Sequence, residues 1–393
     1  MSLDNQAPRQ AQFDLGDKPL SDKNFDRTYQ TELVSMSEGS ADLVKGFKSA
    51  DLVPWFIPDR NKLIFSGAVT ADETTVVRTI EIGGQTARLD QSAANIEART
   101  GKHKGERIYR NLGEREEHVL DALKYLCSTS RGSFGVHGGE AALKFTRSQV
   151  REVLGHSFNN SELNEALDVL SGSITELRVR SGVDNKVRPI RSPLLPLLVS
   201  YEDERYKDAF EGDDQHTLMC KFHPLITEDI KNLNVRQYNN ARIRSRRTTL
   251  ARYLERRLSH VYVQASKNTP YGPIKGSSIL IGAGMEYDPS RPPSHLFRPL
   301  DRALKELVLP EGVKEGSLEG ADFILSRVIK KPIYGSGKTR SKKIEDYYFE
   351  FYPTDHFVKQ QKIANETMSR DKEKLEILRE LKLPPQSAAA VKI

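Results

Sequence analysis

The sequence predicts an α+β fold: two successive helix-then-hairpin units behind a β-rich lead-in and a disordered arm. Two observations carry this. Helical periodicity at 115–128, 161–172 and 297–308 alternates with strand-like runs at 174–180, 322–334 and 343–352. Residues 1–50, by contrast, are polar, poor in aromatics and without periodicity, which predicts disorder. A chain of 393 residues is long enough for two or three domains.

Taken in order, LVPWF at 52–56 holds the only tryptophan and anchors the arm. LIFSGAV (63–69), TVVRTIEI (75–82) and TARLD (86–90) read as strands, with Gly83 and Gly84 as a hairpin turn. REEHVLDALKYLCS (115–128) places Val119, Leu120, Leu123, Leu126 and Cys127 on one helical face. A glycine-rich loop at 131–139 follows. Thr146 then caps RSQVREVLG, with Gly155 as its stop. Ser161 is the expected cap of ELNEALDVLSG, whose stripe is Leu163, Ala166, Leu167 and Leu170. ITELRVR (174–180) and a return through LLPLLVSYE (194–202) form the expected hairpin. Helix, helix–turn–helix and hairpin in that order make a winged helix, whose second turn helix usually enters the DNA major groove.

The acid-rich run 201–215 reads as a linker or inter-domain helix, TLMCKF (217–222) as a strand, and Thr227 as the cap of a short helix. FRPLDRALKELV (297–308) begins a helix near Arg298, because Pro299 fits only the first turn; Leu300, Ala303, Leu304 and Leu307 are its buried stripe. DFILSRVIKKPIY (322–334) and KIEDYYFEFY (343–352) bracket a basic loop, so the second unit repeats the first. The implied fold is α+β with two tandem winged-helix domains, a β-rich N-terminal lead-in and a disordered N-terminal arm. Its divisions are an arm at 1–50, a lead-in at 51–112, winged helices at 113–206 and 207–361, and a C-terminal helix and tail at 362–393.

Charge points to a partner. Net charge is +6 and the pI about 9.0, but the cations cluster. KNLNVRQYNNARIRSRRTTLARYLERRL (231–258) holds nine basic residues and one acid, Glu255. Leu250, Leu254 and Leu258 recur every four residues, so its second half reads as a helix docked by one stripe. The arginines are then expected to face outward, where they would bind phosphate bidentately. The alternative is a solvated basic face balanced by acids elsewhere.

Other chemistries find little support. Mean hydropathy is −0.57 and no apolar run nears the ~20 residues of a membrane span. The N-terminus lacks the order of a signal peptide. Cys127 and Cys220 stand apart and suggest neither a disulfide framework nor a zinc site. A soluble, cytosolic protein without cofactor or metal is expected. GSGKT (335–339) has Pro332 where a P-loop needs its first glycine, and a basic turn into a strand where it needs a helix. HLFR (295–298) with Tyr334 downstream matches one box of tyrosine recombinases, but no companion arginine motif appears. The nine histidines contain no H-x-H pair for a metal-dependent nickase. QFDL (12–15) partly matches peptides that dock on the polymerase sliding clamp, without their final aromatic.

ERIYRNLGEREEHVLDAL (106–123), RSRRTTLARYLERRLSH (244–260) and FRPLDRALKELV together resemble theta-type plasmid replication initiators of the broad-host-range kind. The resemblance spans about residues 63–360 and rests on element order and helix texture. It implies binding to direct repeats (iterons) at an origin, origin opening, recruitment of the host replicative helicase and initiator, and a monomer–dimer balance. It does not imply catalysis. Expected DNA contacts are Asn160, Glu162 and Asn164 in the first unit's reader helix and Arg178 and Arg180 in its hairpin. From the basic stretch come Arg236, Arg242, Arg244, Arg246, Arg247 and Arg252. Arg298 and Arg302 in the second reader helix, and Lys338, Arg340, Lys342 and Lys343 at its hairpin tip, complete the set. A tandem winged-helix transcriptional repressor is the runner-up; palindromic rather than repeated sites would favour it. A tyrosine recombinase is the more remote enzyme reading.

Overall fold

A computed structural model describes residues 25–26, 28–35, 43–58, 64–65, 71–82, 85–129, 131, 133–155, 158–180, 187–201, 217–315, 317, 319–335 and 343–380. The fold is α+β.

The chain opens with β1 (Phe25–Asp26), α1 (Tyr29–Ser35), β2 (Leu43–Phe47), α2 (Lys48–Leu52), β3 (Ile64–Phe65) and α3 (Ala71–Thr74). Part of the expected arm is therefore built into the molecule. Leu33, Val34, Val44 and Phe47 are fully buried, and such burial offsets the entropy of ordering a polar segment. Strands β4 (Val76–Ile82), β5 (Gln85–Ser92), β6 (Ala94–Glu97) and β7 (Arg107–Arg110) follow. Ile82 pairs with Gln85 across the two glycines, which lie outside the described residues, as does most of the expected strand at 63–69.

Helix α4 (Glu114–Ser128) carries its apolar stripe into the core as expected. The glycine-rich loop is instead the hairpin of β8 (Ser133–His137) and β9 (Glu140–Thr146), turning at Gly138 and Gly139, both at positive φ. Thr146 caps α5 (Arg147–Leu154) through Gln149 N, and Gly155 ends it at φ 80°. Asn159, not Ser161, caps α6 (Asn160–Gly172), because its side-chain Oδ1 accepts from Glu162 N at 2.8 Å and the Glu162 carboxylate, accepting from Asn159 N, closes a capping box. β10 (Ile174–Arg180) pairs with β11 (Val187–Pro193), so the expected return through LLPLLVSYE is displaced. That segment instead yields β12 (Leu197–Tyr201), paired with β13 (Thr217–Lys221) in another sheet. Two antiparallel sheets result: β1-β8-β9-β13-β12 and β11-β10-β5-β4. β6 and β7 join β3 in a small third sheet.

Helix α7 (Pro224–Lys231) is capped by His223 with Pro224 in its first turn. Thr227 lies inside the helix, and its hydroxyl accepts from Ala141 N at 3.0 Å. β14 (Val235–Asn239) pairs with β2 over nearly two hundred residues of sequence, and α8 (Asn240–Ser245) follows. Leu218, Phe222, Ile226, Ile230 and Val235 belong to the first core. The buried apolar contacts change partners near residue 240.

The second core is built by α9 (Thr249–Val261), β15 (Tyr271–Lys275), α10 (Gly276–Gly282), α11 (Pro293–Leu296), α12 (Arg298–Leu307), β16 (Leu325–Tyr334) and β17 (Ile344–Pro353). Its sheet order is β15-β17-β16. Phe297, Phe349, Phe351 and Phe357 sit at its centre, fully buried. Helix α13 (Asp355–Glu380) begins earlier than the expected 362. It leaves the second core at Phe357 and reaches the first half, where Asp371 pairs with the buried Lys45 at 2.7 Å.

Candidate nucleic-acid interface

Helix α12 turns Leu300, Ala303, Leu304 and Leu307 inward, as its periodicity predicts. Arg298, Arg302 and Lys305 are exposed at intervals of four and three residues, one continuous stripe on the opposite side. The helix is tied to the adjoining hairpin: Lys330 Nζ donates to Asp301 Oδ1 at 2.9 Å and lies 4.2 Å from the Tyr347 ring centroid. On the same hairpin Arg327 stacks over Tyr352 at 4.1 Å, and Lys331 pairs with Glu350 at 2.6 Å. Lys343 is exposed at the hairpin's end; Lys338, Arg340 and Lys342 lie outside the described residues. A rigid helix with a cationic outer stripe, flanked by a basic hairpin, can lie in a groove and grip the phosphates beside it.

The basic stretch is placed otherwise. Arg236, Arg242, Arg246 and Arg252 are buried, and this corrects the outward-facing reading. Arg242 Nε and Arg246 Nε donate to the two oxygens of Glu255, at 2.6 and 2.7 Å. The single acid of the stretch is thus the buried counter-ion of two of its arginines. Arg236 donates to Gln361 Oε1 at 2.7 Å and Asn365 Oδ1 at 2.8 Å, and burial lowers its guanidinium to about 10. Arg252 Nη2 reaches Glu114 at 3.0 Å and its Nε reaches Glu117 at 2.9 Å. Arg256 bonds to Glu117 at 2.6 Å and to Asp121. Arg244 donates to the Val153 carbonyl and lies over the Tyr125 ring. Of the six arginines singled out there, Arg247 alone has an exposed side chain; its backbone N–H donates to Glu306 at 2.6 Å. A guanidinium buried against protein partners is out of reach of a phosphate in solvent.

This cluster continues to Asp51. Burial raises its pKa, but Lys124, with Nζ at 2.5 Å, and the His260 hydrogen bond at 3.0 Å prevail and hold the carboxyl well below the usual carboxylate range. Tyr238 donates to the same carboxylate at 3.1 Å. The partners lay hidden in the sequence because they stand on α4, yet a signal exists. Glu114, Glu117 and Asp121 share one face of that helix, as Arg252, Arg256 and His260 share one face of α9.

In the first half, α6 presents Asn160, Glu162 and Asn164 near its N-terminus. Asn160 accepts from Arg151 at 3.3 Å and Asn164 from Arg147 at 2.8 Å, while Glu162 serves the cap. Arg178 is bound to Glu176 at 2.6 Å, and the Arg180 side chain lies outside the described residues. Their strand, β10, is paired on both sides, with β11 and β5, while β11 forms the edge of that sheet; the turn of this hairpin lies outside the described residues. Sequence reasoning passed over Lys305, which extends the Arg298–Arg302 spacing, and Arg327 and Lys330, which strand alternation alone does not mark.

Among the described residues no helix is long and apolar enough to cross a membrane. No family model matches the sequence, and no curated protein matches it. Among solved structures the chain is similar to a crystal structure of domains 2 and 3 of RctB. That match has a TM-score of 0.42 and 12% identity, over 77% of this chain and 95% of that one. A second crystal structure of RctB domains 2-3 gives a TM-score of 0.37 and 11% identity, over 74% and 94% of the two chains.

Proposed function

We propose that this chain is a sequence-specific, duplex-DNA-binding replication initiator of the plasmid iteron type. The observation that carries the reading is the α12 surface: Arg298, Arg302 and Lys305 in one exposed stripe, braced by the Asp301–Lys330 pair against a basic hairpin. Residues 249–353 follow the order helix, strand, two short helices, helix, hairpin, with the first strand beside the last. That order supports a winged helix with α12 as its reader. Helices α4, α5 and α6 with the β10–β11 hairpin make the first module in this reading, its wing absorbed into a larger sheet. Two modules in one chain suit long direct repeats better than a palindrome. The protein performs no bond-breaking step in this scheme. Its partners are the repeats, a second copy of itself, the host helicase and initiator, and the sliding clamp through QFDL.

The test is selection of duplexes from a random pool by the full chain, followed by footprinting on DNA flanking its gene. Protection of tandem sites spaced by about two helical turns is expected. Recovery of no sequence above the random pool overturns the reading.

A further inference from the structure

The loop between β6 and β7 is built like a contact surface. RTGKHKGER (99–107) carries four cations, Arg99, Lys102, Lys104 and Arg107, against one acid, Glu106. Its base is held by Glu165 of α6, a side chain only 1% exposed. That carboxylate accepts from Arg99 N at 2.9 Å, Thr100 N at 3.1 Å and Thr100 Oγ1 at 3.0 Å. Arg110 and Arg115 bond to its other oxygen, at 3.2 and 2.8 Å. Burial raises the Glu165 pKa, but these donors outweigh it and keep the carboxyl below its ordinary value.

The loop itself is ordered by its backbone. Gly105 N bonds to Ala98 O at 2.7 Å, and Glu106 N to His103 O at 2.9 Å. Gly101 and Gly105 sit at φ +73° and +83°, and a Cβ at either would meet nothing within 4 Å. The tip therefore stands clear in solvent. Lys102 and Lys104 are exposed there, and neither has an ion-pair partner among the described residues.

Its position adds the rest. Arg99 Nη2 pairs with Asp168 Oδ2 at 2.9 Å, on the outer face of α6 one turn beyond Asn164. The loop thus flanks the helix that the DNA-binding reading lays against a groove.

We infer that the 99–107 loop is the phosphate clamp of the first module: Lys102 and Lys104 neutralise backbone phosphates of the duplex beside α6. This rests on the DNA-binding reading above. Two released contacts correspond to a change of about 1.8 in the slope of log affinity against log salt, and ordered phosphate contacts serve all sequences alike.

The test compares the full chain with Lys102→Ala/Lys104→Ala, and with Lys102→Glu/Lys104→Glu, on one selected and one random duplex across 50–200 mM salt. Thermal melting of each variant confirms folding; both lysines are exposed, so unchanged melts are expected. The alanine variant should lower the slope by about 1.8 on both duplexes and weaken binding about tenfold. The glutamate variant should weaken it further. Wild-type binding with an unchanged slope in both variants overturns the clamp and leaves the α12 reading standing. Absence of binding by the wild type overturns both.

Discussion

Arg252 of α9 donates from Nε to Glu117 Oε2 of α4 at 2.9 Å, and the two side chains are 0% and 1% exposed. The contact spans 135 residues of sequence and joins the two halves of the molecule. Arg256 repeats it one turn on, bonding to Glu117 and Asp121, so the pairing advances along both helices in the same sense. Removing such ions from water costs several kcal/mol each, which their attraction roughly offsets. What the arrangement secures is register. A one-turn slip, about 5.4 Å, would leave Arg252 or Asp121 buried without a partner. The most basic stretch of the chain is therefore an internal fastening, and it sets where α12 stands relative to α6.

Removing one member should be costly. Arg252→Ala leaves Glu117 buried with half its partners and should destabilise by about 3–5 kcal/mol. The double variant Arg252→Met/Glu117→Met removes both charges and should recover much of that loss. Urea unfolding midpoints measure both. A double variant less stable than Arg252→Ala would mean that the pair contributes more than it costs.

Acid should act on two groups in succession. His223 caps α7 with Nδ1, and burial drives its imidazole down from 6.5 to about 4. The unfolded chain binds the proton first, so stability is complete above pH 6.5 and declines as pH falls to 4. The loss is about 3 kcal/mol across that window. Burial likewise lowers His137 and His356, so His223→Gln should flatten the decline without abolishing it. Below pH 4.5 the carboxyls follow. The His118 ring, 3.9 Å away, then Arg252, bring Glu114 to about 2; Glu117, raised by burial but overridden by Arg252 and Arg256, is lowered too. Their stabilisation is present above the unfolded value and disappears as pH falls towards 2. Urea midpoints at half-unit steps from pH 7.5 to 2 check both windows.

Local features were legible in the sequence, and long-range partners were not. The α4 and α12 stripes, the Thr146 cap and the β16–β17 hairpin follow from spacings within a dozen residues. The pairing of β14 with β2 and the neutralisation of Arg252 depend on residues far away in sequence. A count of charge along 231–258 cannot distinguish a guanidinium in water from one facing a glutamate on another helix. The α9 pattern did contain a warning: leucines on one face and arginines on the opposite one suit a helix enclosed on both sides as well as a docked one.

Burial divides the arginines into two classes with different salt behaviour. Arg298→Ala removes an exposed cation and should lower the salt slope of DNA binding by about 0.9. Arg252→Met should reduce stability yet leave the slope unchanged at a temperature where the variant is folded. Anisotropy titrations from 50 to 200 mM salt decide this. Equal slope changes in the two variants would return the buried arginine to the interface.

Tyr334 is 51% exposed at the end of β16 and pairs through its backbone with Ile344. Among the described residues no histidine or carboxylate is hydrogen-bonded to its hydroxyl to serve as the base a nucleophile needs. Tyr334→Phe should leave DNA binding and origin function intact, with no covalent adduct in either protein. An adduct formed by the wild type and lost in the variant would make the chain a strand-transfer enzyme.

Arg302 distinguishes a reader from a grip. It stands at the centre of the exposed α12 stripe, one turn from Arg298, with Ala303 and Leu304 fixing the helix beneath it. A guanidinium so placed can bond bidentately to a guanine edge, and a good pair of this kind discriminates by about 1–3 kcal/mol. Arg302→Ala should lose that amount on the selected site and relax preference at one base-pair position. Lys343→Ala, at the hairpin's end, should weaken selected and random duplexes equally. Competition binding with single-position variants of the site measures both. If Arg302→Ala weakens random DNA as much as the selected site, Arg302 holds phosphate, and the reading residues of α12 lie elsewhere on that helix.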